Sequence, residues 1–342
     1  MWSVVLAGGI GSRFWPVSTP RRPKQFLPLI DSRPLLTGTI DRLAPLTPPD
    51  RTLVLTNASL TDATRALVPH LPNNNVIAEP RPAGTAAALT WAASEIERRD
   101  GRDATMLSVH ADWAIADVEG FRDALVHAVA VAVRHQALVT VGVVPSRPDP
   151  GFGYICPGEV VDGDARRVAT FVEKPDRQHA ALMMTQGCLW NSGIFAWRVG
   201  DFLEEVRAHT PEVAGALVAA GNNRDAFFAQ VKSISVDVGV LERSQRVLVV
   251  PGDFGWDDIG TWAALTRVRA LDAQRNAIYG QVHAVESTGN VVHAEHGAVV
   301  LFGVADLVVV AREGLTLVTT LERADDLKAL VDALPPSVRE LP

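Results

Sequence analysis

The chain has 342 residues, 47% of them apolar and 21% charged, with a formal charge of −7. That composition suits an ordinary globular enzyme with one large domain, or a large domain and a small partner. The negative balance argues against nonspecific binding to nucleic acid or anionic membranes, and no run reaches the ~18 uninterrupted apolar residues of a membrane helix.

The start of the chain lacks the basic stretch of a signal peptide. Five apolar runs of buried-strand length follow, at 3–7, 52–56, 75–78, 105–109 and 138–143. Between them, 59–68, 85–99 and 118–135 carry apolar residues at three- and four-residue spacing. The alternation predicts a mostly parallel sheet covered by helices. Ligands of such sheets collect at the carboxyl ends of the strands. From 145 to 262 the pattern is mixed, with strands expected at 168–172 and 194–197 and helices at 199–209 and 224–231. Cys156 and Cys188 fall here without CxxC or zinc-type spacing and are read as ordinary thiols of a cytoplasmic protein. A closing helix is expected over 259–271. Beyond 273 come short Val-rich runs (278–285, 290–293, 298–302, 307–311, 316–319), then a helix at 324–334. The fold class is therefore α/β: a helix-covered parallel sheet over 1–272, and a small β-rich domain ending in a helix over 273–342. His293 and His296 have HxxH spacing, but no carboxylate-rich helix accompanies them, so they are not read as a zinc site.

The densest signal follows the first strand: Leu6-Ala-Gly-Gly-Ile-Gly-Ser-Arg-Phe-Trp-Pro16, running on to Pro23-Lys-Gln-Phe-Leu-Pro28. Gly8, Gly9 and Gly11 let backbone N–H groups approach a phosphate without side-chain obstruction. A dinucleotide fingerprint would need glycine where Phe14 stands, and a Walker loop would need Gly-Lys-Ser/Thr; neither is present. Arg13, Arg21, Arg22 and Lys24 all precede the first acidic residue, Asp31, so an acidic protein opens on a cationic loop. The glycines alone also fit a plain strand–turn with surface basic residues.

The whole string, Gly8-Gly-x-Gly-x-Arg13-x-Trp-Pro16 with Pro23-Lys-Gln-Phe-Leu27, resembles the signature of the mannose-1-phosphate guanylyltransferases, a branch of the nucleotide-diphospho-sugar pyrophosphorylases. The resemblance implies a Rossmann-like, GT-A-like nucleotidyltransferase fold with a left-handed β-helix-like C-terminal region. It also implies that the loop wraps the nucleotide triphosphate while Arg13 and Lys24 bind phosphates and stabilise the transition state. Four further segments match in family order. Pro150-Gly-Phe-Gly-Tyr-Ile155 implies backbone contact with the sugar at Gly153. Phe171-Val-Glu-Lys-Pro175 implies that Glu173 takes sugar hydroxyls and Lys174 the sugar phosphate. Trp190-Asn-Ser-Gly-Ile-Phe195 gives Asn191 a sugar contact, and Gly255-Trp-Asp-Asp-Ile-Gly-Thr-Trp262 gives Asp258 a metal. Taken singly, Glu173–Lys174 is also an exposed ion pair, Asn191 a turn residue and Asp257 a helix N-cap.

Two segments depart from the family pattern. Ser108-Val-His-Ala-Asp-Trp113 stands where relatives have a Pro-Ala-Asp-His type of string, so Asp112 falls on the metal-binding aspartate. His110 is expected to be a neighbour, because magnesium prefers oxygen donors. Glu79-Pro-Arg-Pro-Ala-Gly-Thr-Ala-Ala87 keeps Thr85, at the nucleotide end, but lacks the Arg and Asn of the family's Arg-Asn-Thr-Ala-Pro core. The expected reaction joins mannose 1-phosphate to the GMP part of GTP, with Mg²⁺ and without nucleic-acid or membrane partners. The resemblance further implies a homodimer, and a chain ending at Pro342 implies no fused isomerase. Another NTP or sugar 1-phosphate, and a non-catalytic nucleotide-sugar sensor, are the competing readings.

Overall fold

The structure, a computed structural model, describes residues 1–9 and 11–339; Ile10 of the glycine loop and residues 340–342 of the expected C-terminal domain lie outside the described residues. The chain divides into two compact units, each discontinuous in sequence. Unit 1 comprises Met1–Gly8, Ile40–Ala111 and Asp117–Trp256; unit 2 comprises Gly9–Thr39, Asp112–Ala116 and Asp257–Pro342.

The strands run in chain order from β1 (Trp2–Leu6), β2 (Thr52–Asn57), β3 (Val76–Glu79) and β4 (Thr105–His110) to the two-residue β5 (Ala114–Ile115) and then β6 (Leu138–Val143). There follow β7 (Tyr154–Asp162), β8 (Ala165–Val172), β9 (Leu189–Arg198), β10 (Val247–Gly252) and the two-residue β11 (Trp256–Asp257). Unit 1 is built on a sheet of nine of these among the described residues, in the order β3-β2-β1-β4-β9-β6-β10-β8-β7. Every residue of β1 is buried, as expected of a central parallel strand covered on both faces. Leu6 pairs with Leu55 and with His110, and Asn57 with Glu79, so β1 to β4 end at one edge of the sheet. Antiparallel β9 separates β4 from β6.

Helices cover the sheet where the apolar spacing predicted them. The helix Gly84–Asp100 buries Ala86, Ala87, Ala88, Ala92 and Ala93, small side chains that let it lie close to its neighbours. Trp91, Phe202, Phe227 and Phe228 fill the same core. The helix Val118–His135 starts where the Asp117 carboxylate accepts from the Gly120 N–H and stops where Gln136 turns left-handed.

Unit 2 holds β12 (Ala277–Val285), β13 (Val291–Phe302), β14 (Leu307–Arg312) and β15 (Leu315–Thr320), in that order, the first three parallel and the last antiparallel. Val291, Val308, Val310 and Leu317 share one core with Phe14, Trp15, Leu27 and Trp262. The signature loop is thus packed on the C-terminal strands. The runs 290–293 and 298–302 belong to one strand, β13. The helix expected over 259–271 is instead a 3-10 turn, Trp262–Ala264, followed by a single helical turn, Leu265–Val268. The first residue of the expected helix, Ile259, sits at φ 46°, which no right-handed helix accommodates.

The two cysteines are not thiols. Cys156 and Cys188 form a disulfide, with Cα atoms 4.1 Å apart. Ile155 pairs with Leu189 in the antiparallel β7–β9 ladder, which brings Cys156 beside Cys188 although 32 positions separate them. Sequence spacing could not reveal a pairing that only the ladder creates. Among the described residues, no helix is long and apolar enough to cross a membrane.

Candidate active site

In unit 2 the loop folds tightly around Lys24. Gly11 lies at φ 66°, and a Cβ there would stand 2.2 Å from the Lys24 Cβ, so no larger residue fits. A Cβ on Gly9, by contrast, would meet nothing within 4 Å. Lys24 opens a 3-10 turn, Lys24–Phe26, after Pro23 and is itself buried. Its Nζ donates to Asp112 Oδ2 at 3.0 Å and to the main-chain oxygen of Asp258 at 2.6 Å. Burying an ammonium is costly unless it is paired and hydrogen-bonded, and these two oxygens meet that requirement.

The backbone at Asp258 is held by its neighbours. Ile259 is β-branched and fully buried, yet lies in the left-handed region at φ 46°, a conformation costing on the order of 1–3 kcal/mol. Its N–H donates to Asp257 Oδ1 at 2.9 Å, and Arg267 holds the same carboxylate at 2.7 and 3.1 Å. Asp257 is therefore not a helix N-cap but the anchor of the turn that presents Asp258. A Cβ on Gly260 would stand 3.1 Å from Asp258 Oδ2 and 3.3 Å from Arg13 Nη1, so the acid and the guanidinium flank one glycine. Arg13, Lys24, Asp112 and Asp258 thus come together in unit 2.

The donor set suits a hard cation. Among the described residues no three His, Cys, Asp or Glu side chains converge as a metal site, but Mg²⁺ ordinarily takes one or two carboxylates with substrate phosphates and water. The Lys24 ammonium, a cation already seated on oxygens of Asp112 and Asp258, is a stand-in for such an ion.

Unit 1 carries the remaining predicted residues in separate places. Gly153, Glu173 and Asn191 meet: a Cβ on Gly153 would lie 2.6 Å from Glu173 Oε2 and 3.4 Å from the Asn191 Cβ. The Asn191 N–H donates to the Gly153 oxygen at 2.8 Å. A bulge in β9 lies beside this point, because Val141 pairs with Ile194 while Gly142 pairs with Asn191. Such a bulge re-aims a side chain. Strand β8 ends at Val172, and Lys174 turns to φ 48°, so Glu173 and Lys174 do not diverge as strand neighbours would. Their charged ends stand 3.3 Å apart and are well exposed. Thr85, elsewhere in unit 1, accepts the Val236 N–H at 2.9 Å, and Gly8 accepts from Asn57 Nδ2 at 3.2 Å.

Three acidic residues join the candidates that sequence reasoning singled out. Glu79 ends β3 with its side chain buried, and a Cβ on Gly8 would stand 3.7 Å from its Oε1. Burial alone raises its carboxyl to about 7. The available signal was its place at the carboxyl end of a parallel strand. Asp237 accepts from Asn191 Nδ2 at 2.7 Å. Glu242 has a raised pKa, first from burial and then from the charges of Asp237 and Glu173, so the Glu173–Asn191 cluster has an acidic side. Neither Asp237 nor Glu242 lies in a segment with an evident motif.

In unit 2, a lysine seated on the Asp112 carboxylate and the Asp258 main-chain oxygen, with Arg13 beside Asp258, makes the candidate site. The nucleotidyl transferase family matches residues 2–275, and the MannoseP isomerase/GMP-like beta-helix domain matches 280–334. The chain belongs to the nucleotidyl transferase family. Among its relatives, the mannose-1-phosphate guanylyltransferase of Salmonella muenchen is 36% identical, covering 97% of this chain and 72% of that one. The mannose-1-phosphate guanylyltransferase of Escherichia coli K12 is 36% identical, with 98% and 73% covered. The crystal structure of a mannose-1-phosphate geranyltransferase from Thermus thermophilus superposes with a TM-score of 0.90 at 35% identity, covering 97% of this chain and 98% of that one.

Proposed function

We propose that the protein makes GDP-mannose and pyrophosphate from GTP and mannose 1-phosphate, with Mg²⁺. The observation that carries this reading is the Lys24 ammonium seated between Asp112 and Asp258. The name shared by the relatives supplies the substrates.

In the proposed reaction a phosphate oxygen of mannose 1-phosphate attacks the α-phosphorus of GTP in line. The new P–O bond forms as the bond from the α-phosphorus to the bridging oxygen breaks, and pyrophosphate leaves with the electron pair. No side-chain nucleophile is required, because the sugar phosphate is already ionised at neutral pH. The protein's work is to orient two polyanions and offset developing charge. Asp112 and Asp258 would hold Mg²⁺, which when bound offsets charge on the phosphates. Lys24, Arg13 and the N–H groups around Gly8, Gly9 and Gly11 cover the departing pyrophosphate. Lys174 takes the phosphate of the sugar, Gly153, Glu173 and Asn191 its hydroxyl side, and Thr85 belongs to the nucleotide end.

Glu79 supports guanine as the base. With its pKa raised to about 7 by burial, the Glu79 carboxyl acts as a pure acceptor only in its ionised form; in that form it matches guanine, which offers two adjacent donors, N1–H and the N2 amino group. Uracil and thymine offer one such donor, and adenine sets an acceptor beside its amino group.

The reading includes a homodimer and a cytoplasmic location, where GTP and sugar phosphates are made; the Cys156–Cys188 disulfide removes the thiol argument for that location. Val285 pairs with Phe302 across β12 and β13, and both are exposed together with Val300, an apolar face suited to a second copy. The deciding experiment is a matrix of NTPs against sugar 1-phosphates scored by pyrophosphate release. Turnover with GTP and mannose 1-phosphate well above every other pair is expected. Radiolabelled enzyme after incubation with [α-³²P]GTP alone would sink direct displacement, and a protein inactive with every pair would leave the sensor reading.

A further inference from the structure

The segment carrying Lys24 is gripped on both sides by residues from the C-terminal part of unit 2. Thr19 and Arg22 close a tight turn through two backbone hydrogen bonds of 3.0 Å. Two residues before Lys24, the Arg22 guanidinium meets both oxygens of Glu295 on β13, at 2.7 Å each. Five residues after Lys24, the main-chain oxygen of Leu29 accepts from Arg269 Nε at 2.6 Å. The two grips are joined through His293, which is fully buried. Arg269 Nη2 lies 2.9 Å from His293 Nδ1, and His293 Nε2 lies 3.5 Å from Glu295 Oε1.

The chemistry of these groups fixes their protonation. A guanidinium only donates, so His293 Nδ1 holds a lone pair and Nε2 carries the proton toward Glu295. The ring is neutral: burial first, and then the Arg269 charge, lower its pKa against the opposing pull of Glu295. Tyr279 stacks on the ring at 4.5 Å and locks its plane. Burial would raise the Glu295 carboxyl, but the hydrogen bonds from His293 and Arg22 outweigh it and hold the group ionised, with its pKa lowered to about 2. A bidentate pair backed by a buried network keeps its geometry better than a lone surface ion pair.

We propose that Glu295, His293 and Arg269 are positioning residues for Lys24: they clamp Arg22 and Leu29 so that the lysine ammonium stays at Asp112 and Asp258. The proposal rests on the reading of Lys24 as the cation that faces the leaving phosphates. It gives the C-terminal strands a part in turnover beyond stability.

The test is steady-state kinetics and thermal melting of the full chain. Displacing a catalytic group by an ångström costs up to ~10²-fold in rate, and a loosened clamp is expected to cost about ten-fold. Glu295→Gln and Arg22→Met should each lower kcat by that amount, leave KM for GTP nearly unchanged, and combine with no further loss. His293→Asn, whose Oδ1 replaces Nδ1 as acceptor for Arg269, should retain turnover that His293→Leu loses. In a Lys24→Ala background Glu295→Gln should cost nothing more, since the positioned group is gone. A further fall of kcat there would mark a general structural role and overturn the clamp. So would wild-type kcat in Glu295→Gln beside an inactive Lys24→Ala. Wild-type kcat in Lys24→Ala itself would instead remove the reading of Lys24 on which the clamp depends.

Discussion

Lys24 Nζ stands 3.0 Å from Asp112 Oδ2, so a buried ammonium and a carboxylate expected to hold metal are in direct contact. In the proposed reaction the ammonium would matter most as charge builds on the leaving pyrophosphate. Lys24→Ala should therefore lower kcat by ~10²–10³, or about 3–4 kcal/mol, the loss seen when one preorganised donor is removed. Equilibrium binding of GTP should change far less. Unaltered kcat would reduce Lys24 to a structural ion pair.

On the proposed reading the same contact sets Lys24 and Mg²⁺ in competition for Asp112. Protein stripped with a chelator should regain turnover with Mg²⁺, and Asp112→Asn and Asp258→Asn should each require much more of it. In Lys24→Met the carboxylate loses its competing cation, so Mn²⁺ should bind the nucleotide-free protein no more weakly than wild type, as read by electron paramagnetic resonance. An Mg²⁺ requirement untouched by Asp112→Asn would place the metal elsewhere.

On the proposed reading Glu79 couples stability to base choice. Its folded pKa of about 7 lies above the ordinary 4.5, so the folded protein binds more protons between those values. The group's contribution to stability is complete below about 4.5 and lost as pH rises through 7, about 3 kcal/mol in all. Glu79→Gln should therefore raise the melting temperature of the free protein at about pH 8 and hardly change it at about pH 4.5, following the same linkage. The same variant should lose much of its preference for GTP over other NTPs. Stability gained with selectivity intact would exclude Glu79 from base recognition.

At the proposed sugar end, phosphate and hydroxyl contacts can be separated by experiment. Every sugar 1-phosphate carries the phosphate, so Lys174→Ala should raise KM for all of them together. Glu173→Gln and Asn191→Ala remove groups clustered at Gly153, and should shrink the preference for mannose over its epimer glucose. A site that hydrogen-bonds a particular hydroxyl loses selectivity with its polar partner. The comparison is kcat/KM for both epimers; equal losses for both would take these two residues out of sugar recognition.

The Cys156–Cys188 bond closes a chain separation of 32 residues. A loop of that size corresponds to about 3–4 kcal/mol of denatured-state entropy in the chain-entropy treatment. Urea unfolding with and without reductant should show the midpoint fall on reduction, and Cys188→Ala should reproduce the reduced value. A midpoint indifferent to reductant, in protein whose thiols mass spectrometry counts as free, would mean that the bond does not form.

The sequence by itself determined what depends on neighbours along the chain. Val118–His135 and Val199–His209 are helices over the ranges their apolar spacing indicates, and Leu138–Val143 is the strand its apolar run indicates, because those periods belong to a single element. The glycines and Lys24 stood out as candidates for a similar reason, since a phosphate loop would need fixed spacing within a few residues. What only the tertiary structure decided are the meetings of distant residues. Cys156 reaches Cys188 through the β7–β9 ladder, Asn191 turns to Asp237 beside a bulge, and Glu295 reaches Arg22 across 273 positions. Glu79 belongs with them, since its raised pKa comes from burial and not from any sequence neighbour. Burial, register and the approach of remote charges arise when the chain closes on itself, and no local pattern of residues encodes them one by one.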